Sequence, residues 1–258
     1  MNPDTRAPGA KWALRAAWIA ALVLLVLALL YTVRQRQGEP EYLQAPESEF
    51  VALFEAPPAE NSARTRGELD ELLAIQRQRT PLEVDAARAD RKTDVWQFAG
   101  ALGLSPQRLR SMRVLSALAE HVEDDERPYV RAAKDYFRRL RPYEIEPRLD
   151  PCIDDVRGDL SYPSGHATYG YLTAYLLIDM VPERRVQIWA RAEEFARQRM
   201  VCGVHFPSDL EAGRRGAEWL AQRFLRSDAY RAAAAEPARE LRAALGLPPA
   251  AAPHQPAR

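Results

Sequence analysis

Helix-start signals recur through the middle of this chain of 258 residues and restrict its fold more than any other local pattern. Proline follows Thr80 and Ser105, and Pro182 also stands where a helix could begin. The fixed φ of proline suits the first turn of a helix, where its missing N–H is not needed. Thr80 with Glu83 adds the pattern of a capping box. Because no segment alternates apolar and polar residues convincingly, we predict an all-α fold.

The predicted helices follow these signals and the spacing of apolar residues. They cover residues 67–78, 81–92, 93–102, 106–121, 128–140, 167–180, 182–200 and 207–225. We therefore place one helical domain at residues 67–231. Beyond it, residues 232–258 are rich in alanine and proline and are predicted to form a frayed helix followed by a partly disordered tail.

An uncharged apolar run of 18 residues at positions 16–33 is just long enough to cross a bilayer as a helix. Basic residues precede it, and no small-residue cleavage motif follows it. We predict an uncleaved signal anchor over residues 1–36, with a cleaved signal peptide as the alternative. Residues 37–66, rich in Pro, Glu and Ala, are expected to form an extended leader.

The overall charge excludes one class of partner. The 36 Lys and Arg residues balance 36 Asp and Glu residues, and the sequence has no stripe of interleaved basic and aromatic residues. A nucleic-acid-binding domain ordinarily carries such a basic field. Nucleic acid is therefore not an expected partner, and no feature of the sequence fixes an oligomeric state.

A first candidate anion-binding pair is formed by Lys134 and Arg141. The two residues are seven positions apart, which is two helical turns, so they are predicted to share one face near the end of a helix. Together they could bind one anion. The alternative is a solvated basic helix face that also includes Arg131, Arg138 and Arg139.

A second candidate segment, Ser164-Gly165-His166, follows Pro163 and precedes an apolar helix. The start of a helix offers unpaired backbone amides and the positive end of a dipole. Ser164 adds a hydroxyl, Gly165 allows close approach to an oxyanion, and His166 would stand beside the bound group. The alternative is an ordinary N-cap turn with an incidental histidine.

A third segment combines Arg199, His205 and Asp209. Four positions separate the histidine from the aspartate, so the carboxylate can reach one imidazole nitrogen and orient the other as a nucleophile. The planar guanidinium of Arg199 suits two phosphate oxygens. Such histidine–aspartate pairs also occur on ordinary helices, which is the structural alternative.

Together the three segments supply three cations, two histidines and one carboxylate. A transferring phosphoryl group needs cationic donors around its oxygens, an in-line nucleophile and an acid for the leaving group. We therefore predict phosphoryl transfer that requires neither a metal ion nor a cofactor.

The order and spacing of these segments resemble the tripartite signature of the type 2 phosphatidic acid phosphatase (PAP2) superfamily. Its parts are Lys134 with six residues before Arg141 and Pro142, then Pro163, Ser164, Gly165 and His166, then Arg199 with five residues before His205 and three before Asp209. The superfamily includes bacterial class A acid phosphatases, membrane lipid phosphatases and vanadium haloperoxidases. The local sequence is most similar to the class A acid phosphatases, and the resemblance covers about residues 67–225.

This resemblance implies a compact all-helical core and hydrolysis in two steps. His205 would attack phosphorus to give a phosphohistidine, and Asp209 would orient it. His166 would protonate the leaving alcohol and later activate water. The groups that would hold the phosphate oxygens are Lys134, Arg141, Ser164, Gly165 and Arg199.

Two residues depart from the pattern of the acid phosphatases. Gln198 stands where the signature has Ser, and Tyr143 where these enzymes usually have Phe. Neither change removes a phosphate ligand, so they bear on packing and substrate preference.

Cys152 and Cys202 each lie near a motif, and a pair brought together in an exported domain is expected to form a disulfide. Two unrelated buried thiols are the alternative. In the acid phosphatases that the chain resembles, the cysteines at these positions are bonded to each other.

The leading hypothesis is an acid-phosphatase-like phosphomonoesterase at the periplasmic side of the bacterial inner membrane, held by the anchor, or free in the periplasm if the segment is cleaved. Its expected partners are a small phosphomonoester and the membrane. A lipid phosphate or polyprenyl diphosphate phosphatase, a vanadate-dependent haloperoxidase and a non-catalytic envelope scaffold are the alternatives.

Overall fold

The computed structural model describes residues 41–153 and 158–249, together with the isolated Trp18. The chain divides into two units, residues 1–40 and 41–258, and the second unit contains all three motif segments. The predicted anchor lies outside the described residues except for Trp18. Among the described residues, no helix combines the length and the apolar character that crossing a bilayer requires.

Helices account for the regular structure of the described part of the chain, which confirms the all-α prediction. The α-helices are α1 (Glu47–Val51), α2 (Ala63–Gln78), α3 (Pro81–Ala89), α4 (Ala99–Leu102), α5 (Pro106–Arg110), α6 (Arg113–Phe137), α7 (Pro142–Ile145), α8 (Gly165–Met180), α9 (Arg185–Val201), α10 (Pro207–Arg226) and α11 (Asp228–Ala244). Two 3-10 helices lie at Val95–Phe98 and Pro182–Arg184.

Helix α8 is the centre of the fold, since its residues are apolar on nearly every side and most of them are buried. Helices α9 and α10 pack along it, and α6 and α11 also contact it. Gly213 on α10 allows the closest approach. A Cβ atom there would lie 2.8 Å from both the Ala167 Cβ and the Ser164 carbonyl oxygen. The N-terminus of α8 is therefore held directly against α10.

The segment predicted as an extended leader differs from that expectation between residues 41 and 54. Phe50 is fully buried, and α1 packs against α6. The Asp125 carboxylate accepts hydrogen bonds from the amides of Glu41, Tyr42 and Leu43 at 2.7–3.0 Å. Buried aromatic groups and a carboxylate aimed at three amides thus fix this segment onto the helical core.

Two predicted helices, 106–121 and 128–140, have different boundaries in the structure. The first breaks after α5, because the fully buried Met112 turns the chain into the core before α6 begins. Helix α6 then runs for 25 residues with Pro128 in its interior. Buried residues on both sides of the proline form one continuous buried face that is mostly apolar, and this packing outweighs the lost backbone hydrogen bond.

The alanine-rich segment after residue 231 also differs from the expected tail as far as Ala244. Helix α11 buries Tyr230, Ala234 and Leu241 in the main core. Arg242 donates to both carboxylate oxygens of Glu183 at 2.8 and 3.0 Å. The folded unit therefore extends past the predicted domain boundary.

The predicted disulfide between Cys152 and Cys202 is present. The amide of Cys152 also donates to the carbonyl oxygen of Cys202 at 3.2 Å. The two residues pack with Ile153, Val201 and Val204 in a small apolar cluster. The bond thus fastens the loop before the second motif to the loop that carries His205.

Candidate active site

His205 lies just before α10, and the first turn of that helix fixes its ring. The Oδ2 atom of Asp209 is 3.2 Å from Nδ1 of His205. The same oxygen accepts the amide of Phe206 at 2.9 Å, as in a helix N-cap. Because the carboxylate is tied to the backbone that carries the histidine, the short spacing predicted from the sequence produces a defined imidazole orientation.

The second ring nitrogen of His205 faces a guanidinium group. Nη1 of Arg141 is 2.8 Å from Nε2 of His205 and also donates to the Val204 carbonyl oxygen at 2.9 Å. Since a guanidinium only donates, Nε2 must accept, and the ring proton belongs on Nδ1, where Asp209 accepts it. Nε2 therefore carries the lone pair that an attack on phosphorus would need.

Burial sets the charge of this pair. It holds the pKa of His205 well below its ordinary value, and Arg141 and Lys134 lower it further. Burial also raises the pKa of Asp209 to about 6, although Arg139 and the donors around the carboxylate act in the opposite direction. Near neutral pH the pair is a neutral imidazole beside a carboxylate.

Asp209 has two further side-chain partners that were not among the predicted site residues. Ser161 donates to Oδ2 at 2.6 Å, and Arg139 donates to Oδ1 at 2.6 Å. Arg139 is buried and does not belong to a solvated basic helix face. Its sequence signal is weak, since it lies in a run of three arginines among four residues, 138–141.

Lys134 and Arg141 meet, but not by sharing a helix face. Helix α6 ends at Phe137, and Arg141 is the residue before α7. What brings the two cations together is Asp159, whose Oδ2 is 2.6 Å from both Lys134 Nζ and Arg141 Nη2. Asp159 was not among the predicted site residues either; its signal in the sequence is that it is the acidic residue closest before the second motif.

The charges in this triad affect one another. Burial lowers the pKa of Lys134, and Arg141 lowers it further. Burial acts to raise the pKa of Asp159, yet Lys134 and Arg141 outweigh that effect and hold it below its ordinary value. The carboxylate is therefore ionised, and a phosphate bound by the same cations must share them with Asp159 or displace it.

Ser164 and Gly165 lie at the start of α8, two residues ahead of the predicted helix. The Ser164 hydroxyl accepts the amide of Ala167 at 3.3 Å, and the Ser164 amide donates to the carbonyl oxygen of Asp209 at 3.0 Å. Ser164 is fully buried. Ser164 is thus the N-cap of α8. Its amide also binds the first turn of α10, the helix that carries Asp209.

His166 is held by a carbonyl group and an aromatic ring. Its Nε2 atom is 2.7 Å from the Arg91 carbonyl oxygen, and its ring stacks on Phe195 with centroids 5.8 Å apart. Since a carbonyl only accepts, Nε2 carries a proton and Nδ1 holds the lone pair of the neutral ring. Burial and, after it, the charge of Arg199 lower the pKa of His166 to about 3.

Arg199 is buried at the end of α9 and donates from Nη2 to the Ala87 carbonyl oxygen at 2.7 Å. Its positive charge lowers the pKa of both His166 and His205, so Arg199 lies close enough to both rings to affect their protonation. Next to it, the side chain of Gln198 is buried. Tyr143 lies between the two smaller apolar clusters, so both departures from the signature affect packing.

A cavity of about 420 Å³ opens beside these groups. Its lining includes Lys134, Asp159, Gly165 and His166, and α6 adds both acidic and basic side chains, among them Glu123, Glu126, Arg127 and Arg131. Within residues 41–153 and 158–249, no three His, Cys, Asp or Glu side chains are grouped so that they could hold a metal ion.

Comparison with known proteins shows which sequences this chain resembles. Residues 115–224 match the PAP2 superfamily. A non-specific acid phosphatase of Salmonella typhimurium is 40% identical over 86 residues, which are 32% of this chain and 34% of that protein. One from Providencia stuartii is 30% identical over 120 residues, covering 45% and 48%. The chain thus spans a third to a half of the length of these relatives.

Among solved structures, the first bacterial vanadium dependant iodoperoxidase matches with a TM-score of 0.50 at 17% identity, covering 72% of this chain and 53% of that one. This likeness concerns the fold alone. All the candidate residues from Lys134 to Asp209 lie inside the matched stretch of sequence, 115–224. Residues 115–224, which carry the candidate site, therefore match the PAP2 superfamily, and the chain shows distant homology to bacterial non-specific acid phosphatases.

Proposed function

We propose that this protein hydrolyses phosphate monoesters through a phosphohistidine formed on His205, without a metal ion. The observation that carries the proposal is the placement of the His205 ring between Asp209 and Arg141. That placement leaves an unprotonated Nε2 next to a cation able to bind phosphate oxygens. Homology to non-specific acid phosphatases supports the same reaction class.

In the first step, the Nε2 lone pair of His205 forms a bond to phosphorus while the bond from phosphorus to the ester oxygen breaks. The departing oxygen takes a proton from His166, and an alcohol leaves. The positive charge that develops on His205 is stabilised by Asp209, which accepts a hydrogen bond from Nδ1 without taking the proton.

In the second step, water attacks the phosphohistidine and the bond between nitrogen and phosphorus breaks. Neutral His166 accepts a proton from the attacking water, and phosphate leaves. His205 returns to its neutral form, and the roles of His166 as acid and then base balance over the cycle.

Positive charge for the transferring group comes from Lys134, Arg141 and Arg199, with the Ser164 hydroxyl and the Gly165 amide as further donors. These groups act in a largely buried site, where a preorganised cation stabilises charge far better than in water. The ester group would remain in the cavity beside α6, whose mixed acidic and basic lining suits polar substrates of varied shape.

The low pKa of His166 fits this scheme only if bound phosphate changes it. Burial is the largest cause of this low pKa, and the nearby cations Arg199, Arg141 and Lys134 add to it; a bound phosphate dianion would neutralise those cations. Substrate binding would therefore raise the pKa of His166 and load the proton that the leaving group needs.

We also propose that residues 1–36 anchor the protein and that the catalytic domain is exported. The disulfide supports export, because disulfides persist in oxidising compartments such as the bacterial periplasm. In this arrangement the folded unit from residue 41 onward would work at the periplasmic side of the inner membrane.

The experiment is an assay of the full-length protein in detergent, with excess EDTA, against nucleotides, sugar phosphates, phosphatidic acid and polyprenyl diphosphate. Turnover of soluble monoesters in EDTA, inhibited by vanadate, is expected. A requirement for a divalent ion would contradict the metal-independent mechanism, and turnover of the lipid substrates alone would contradict the proposed substrate class.

A further inference from the structure

Arg139 is a buried cation that the proposed mechanism does not use. Helix α6 ends at Phe137, and Arg138 takes a left-handed backbone conformation with φ of 51°. This turn directs the next residue inward. The side chain of Arg139 is only 5% exposed.

Within the described residues, the side-chain hydrogen bonds of Arg139 lead to the start of α10 or to α2. Its carbonyl oxygen accepts the amide of Ser161 at 2.9 Å. Nη1 donates to Asp209 Oδ1 at 2.6 Å and to the Ser208 hydroxyl at 2.7 Å. Nη2 donates to Glu68 Oε2 at 2.8 Å. The guanidinium also lies 3.8 Å above the ring centroid of Phe206.

Glu68 closes the network from α2. Its Oε1 atom accepts the amide of Ser208 at 3.0 Å, while its Oε2 atom binds Arg139. A buried ion pair offsets its desolvation cost only when further hydrogen bonds satisfy the charged groups, and here both carboxylate oxygens are used. Glu68 therefore fixes Arg139 and the first turn of α10 together.

The two oxygens of Asp209 have separate partners. Oδ2 faces His205, Ser161 and the amide of Phe206, whereas Oδ1 binds Arg139. Arg139 thus adds a positive charge without competing for the oxygen that orients the histidine.

We propose that Arg139, held by Glu68, is a positioning residue that keeps Asp209 ionised and aimed at His205, and so sets the acid limit of catalysis. This inference rests on the proposed function, since it assigns Arg139 an effect on the carboxylate that orients the nucleophile. If Asp209 becomes protonated, it no longer stabilises the cationic His205 that forms during attack.

Several charged or titratable groups face Asp209 from the elements packed around it. They are Arg139 from the turn after α6, Glu68 from α2, His205 from the loop before α10, Lys134 from α6, and Tyr162 from the loop before α8, with Arg141 behind His205. Of the cations among them, only Arg139 donates a hydrogen bond to the carboxylate within the described residues. Its removal is therefore expected to raise the pKa of Asp209 more than any other single change.

The test compares wild type with the double variant Arg139→Met/Glu68→Gln, which removes the cation without leaving Glu68 as an unpaired buried carboxylate. We expect kcat to fall about 10- to 100-fold, with little change in KM; this is the loss typical when the partner that orients a metal ligand is removed, applied here to the carboxylate that orients His205. The acid limb of the kcat/KM profile should move up by about 1 to 3 pH units, the effect of one close opposite charge on an aspartate. That limb reports the coupled His205–Asp209 pair as a whole.

Two further variants separate positioning from folding. Arg138→Met removes the same kind of charge from the exposed neighbour and should leave both kcat and the acid limb unchanged. Arg139→Lys keeps the charge but not the planar fork, so it should recover part of the shift. Thermal unfolding shows which variants are folded, and the His205 Nδ1 proton, followed by NMR in 15N-histidine-labelled wild type and Arg139→Lys, gives a readout that does not depend on activity.

An acid limb that stays at the wild-type pH in folded Arg139 variants, with an unchanged His205 Nδ1 resonance, would overturn the inference. Failure of the proposed function is a separate result: wild type would then not hydrolyse phosphate monoesters, or His205→Ala would remain active. With those two controls in place, the shift in the acid limb of the kcat/KM profile tests only the proposed role of Arg139.

Discussion

The two histidines of the site hold their ring protons on opposite nitrogens. His205 carries its proton on Nδ1 toward Asp209, whereas His166 carries it on Nε2 toward the Arg91 carbonyl. Both have a pKa below the ordinary range because they are buried among cations. In the proposed mechanism His205 can therefore attack phosphorus in its neutral form, whereas His166 must gain a proton when substrate binds.

This difference predicts unequal effects of leaving groups. His166→Ala should lower kcat for alkyl phosphates about a hundredfold to ten-thousandfold, which is the usual contribution of general acid catalysis. The formation of phosphoenzyme from p-nitrophenyl phosphate should change much less, because p-nitrophenolate departs without a proton. Pre-steady-state release of p-nitrophenol measures that step. The exposed His121 offers a matched control, His121→Ala, and equal losses on both esters in the His166 variant would show that His166 is not the acid.

Asp159 predicts a gain rather than a loss. Its carboxylate already binds Lys134 and Arg141, so Asp159→Asn should remove a competing charge and strengthen the binding of phosphate and vanadate. Inhibition constants measured at one ionic strength provide the test. Asp135→Asn removes another carboxylate from the same cavity and serves as the control. Weaker binding in the Asp159 variant alone would mean that Asp159 positions the cations instead.

At the scale of helices, the site depends on the contact between α8 and α10. One helix begins with Ser164, Gly165 and His166, the other carries Asp209, and the Ser164 amide joins them directly. A glycine at position 213 makes this separation possible. Backbone geometry at one crossing therefore sets how the phosphate-binding turn faces the nucleophile.

The crossing gives a prediction with a matched control. Gly213→Ala places a methyl group 2.8 Å from the Ser164 carbonyl oxygen, so α10 must shift; we expect a loss of about 1 to 3 kcal/mol in unfolding free energy and reduced kcat. Gly67→Ala, in α2 with nothing within 4 Å, should be neutral or stabilising by up to about 1 kcal/mol. Denaturant unfolding of both variants gives the comparison, and similar effects from the two would contradict this account of the crossing.

The helices near the motifs were predictable because proline and capping signals are local. Helix α8 begins two residues before the predicted start, and α10 runs one residue beyond its predicted end. The interior Pro128 misled the prediction, since a continuous buried face carries α6 through it. Local signals cannot show such tertiary packing.

The site was predictable to a similar depth. The sequence spacing predicted the contact between His205 and Asp209, because the two residues lie about one helical turn apart. It could not identify Asp159, Ser161 or Arg139, because their contacts join loops distant in sequence. These residues become visible only when the helices have brought the loops together.

At the scale of the whole molecule, the described unit is held by contacts that reach beyond the motif-bearing helices. Residues 41–54 pack onto α6 and α10 at one side, and α11 fastens to Glu183 through Arg242 at another. Near the site, the disulfide joins two loops that are 50 residues apart in sequence. Loop geometry close to His205 thus depends on a covalent bond.

The bond predicts both a chemical and a thermodynamic result. Unreduced protein from its native compartment should give one peptide pair joined through Cys152 and Cys202 in mass spectrometry. Cys152→Ser/Cys202→Ser should unfold with a free energy about 2 to 5 kcal/mol lower, chiefly because the unfolded chain gains freedom. Ser111→Ala, an exposed serine away from the bond, is the control. Free thiols in the isolated protein would contradict the bond and weaken the case for export.

The central claim is that phosphate is carried by His205, and trapping the phosphoenzyme tests it most directly. His166→Ala lacks the group that would activate water, so it should accumulate phosphohistidine when given labelled p-nitrophenyl phosphate in EDTA and quenched at alkaline pH. We predict acid-labile label on the peptide that contains His205, and none in His166→Ala/His205→Ala. The mechanism would be contradicted by label on another residue. It would also be contradicted by a lack of label in a His166→Ala variant that still releases p-nitrophenol.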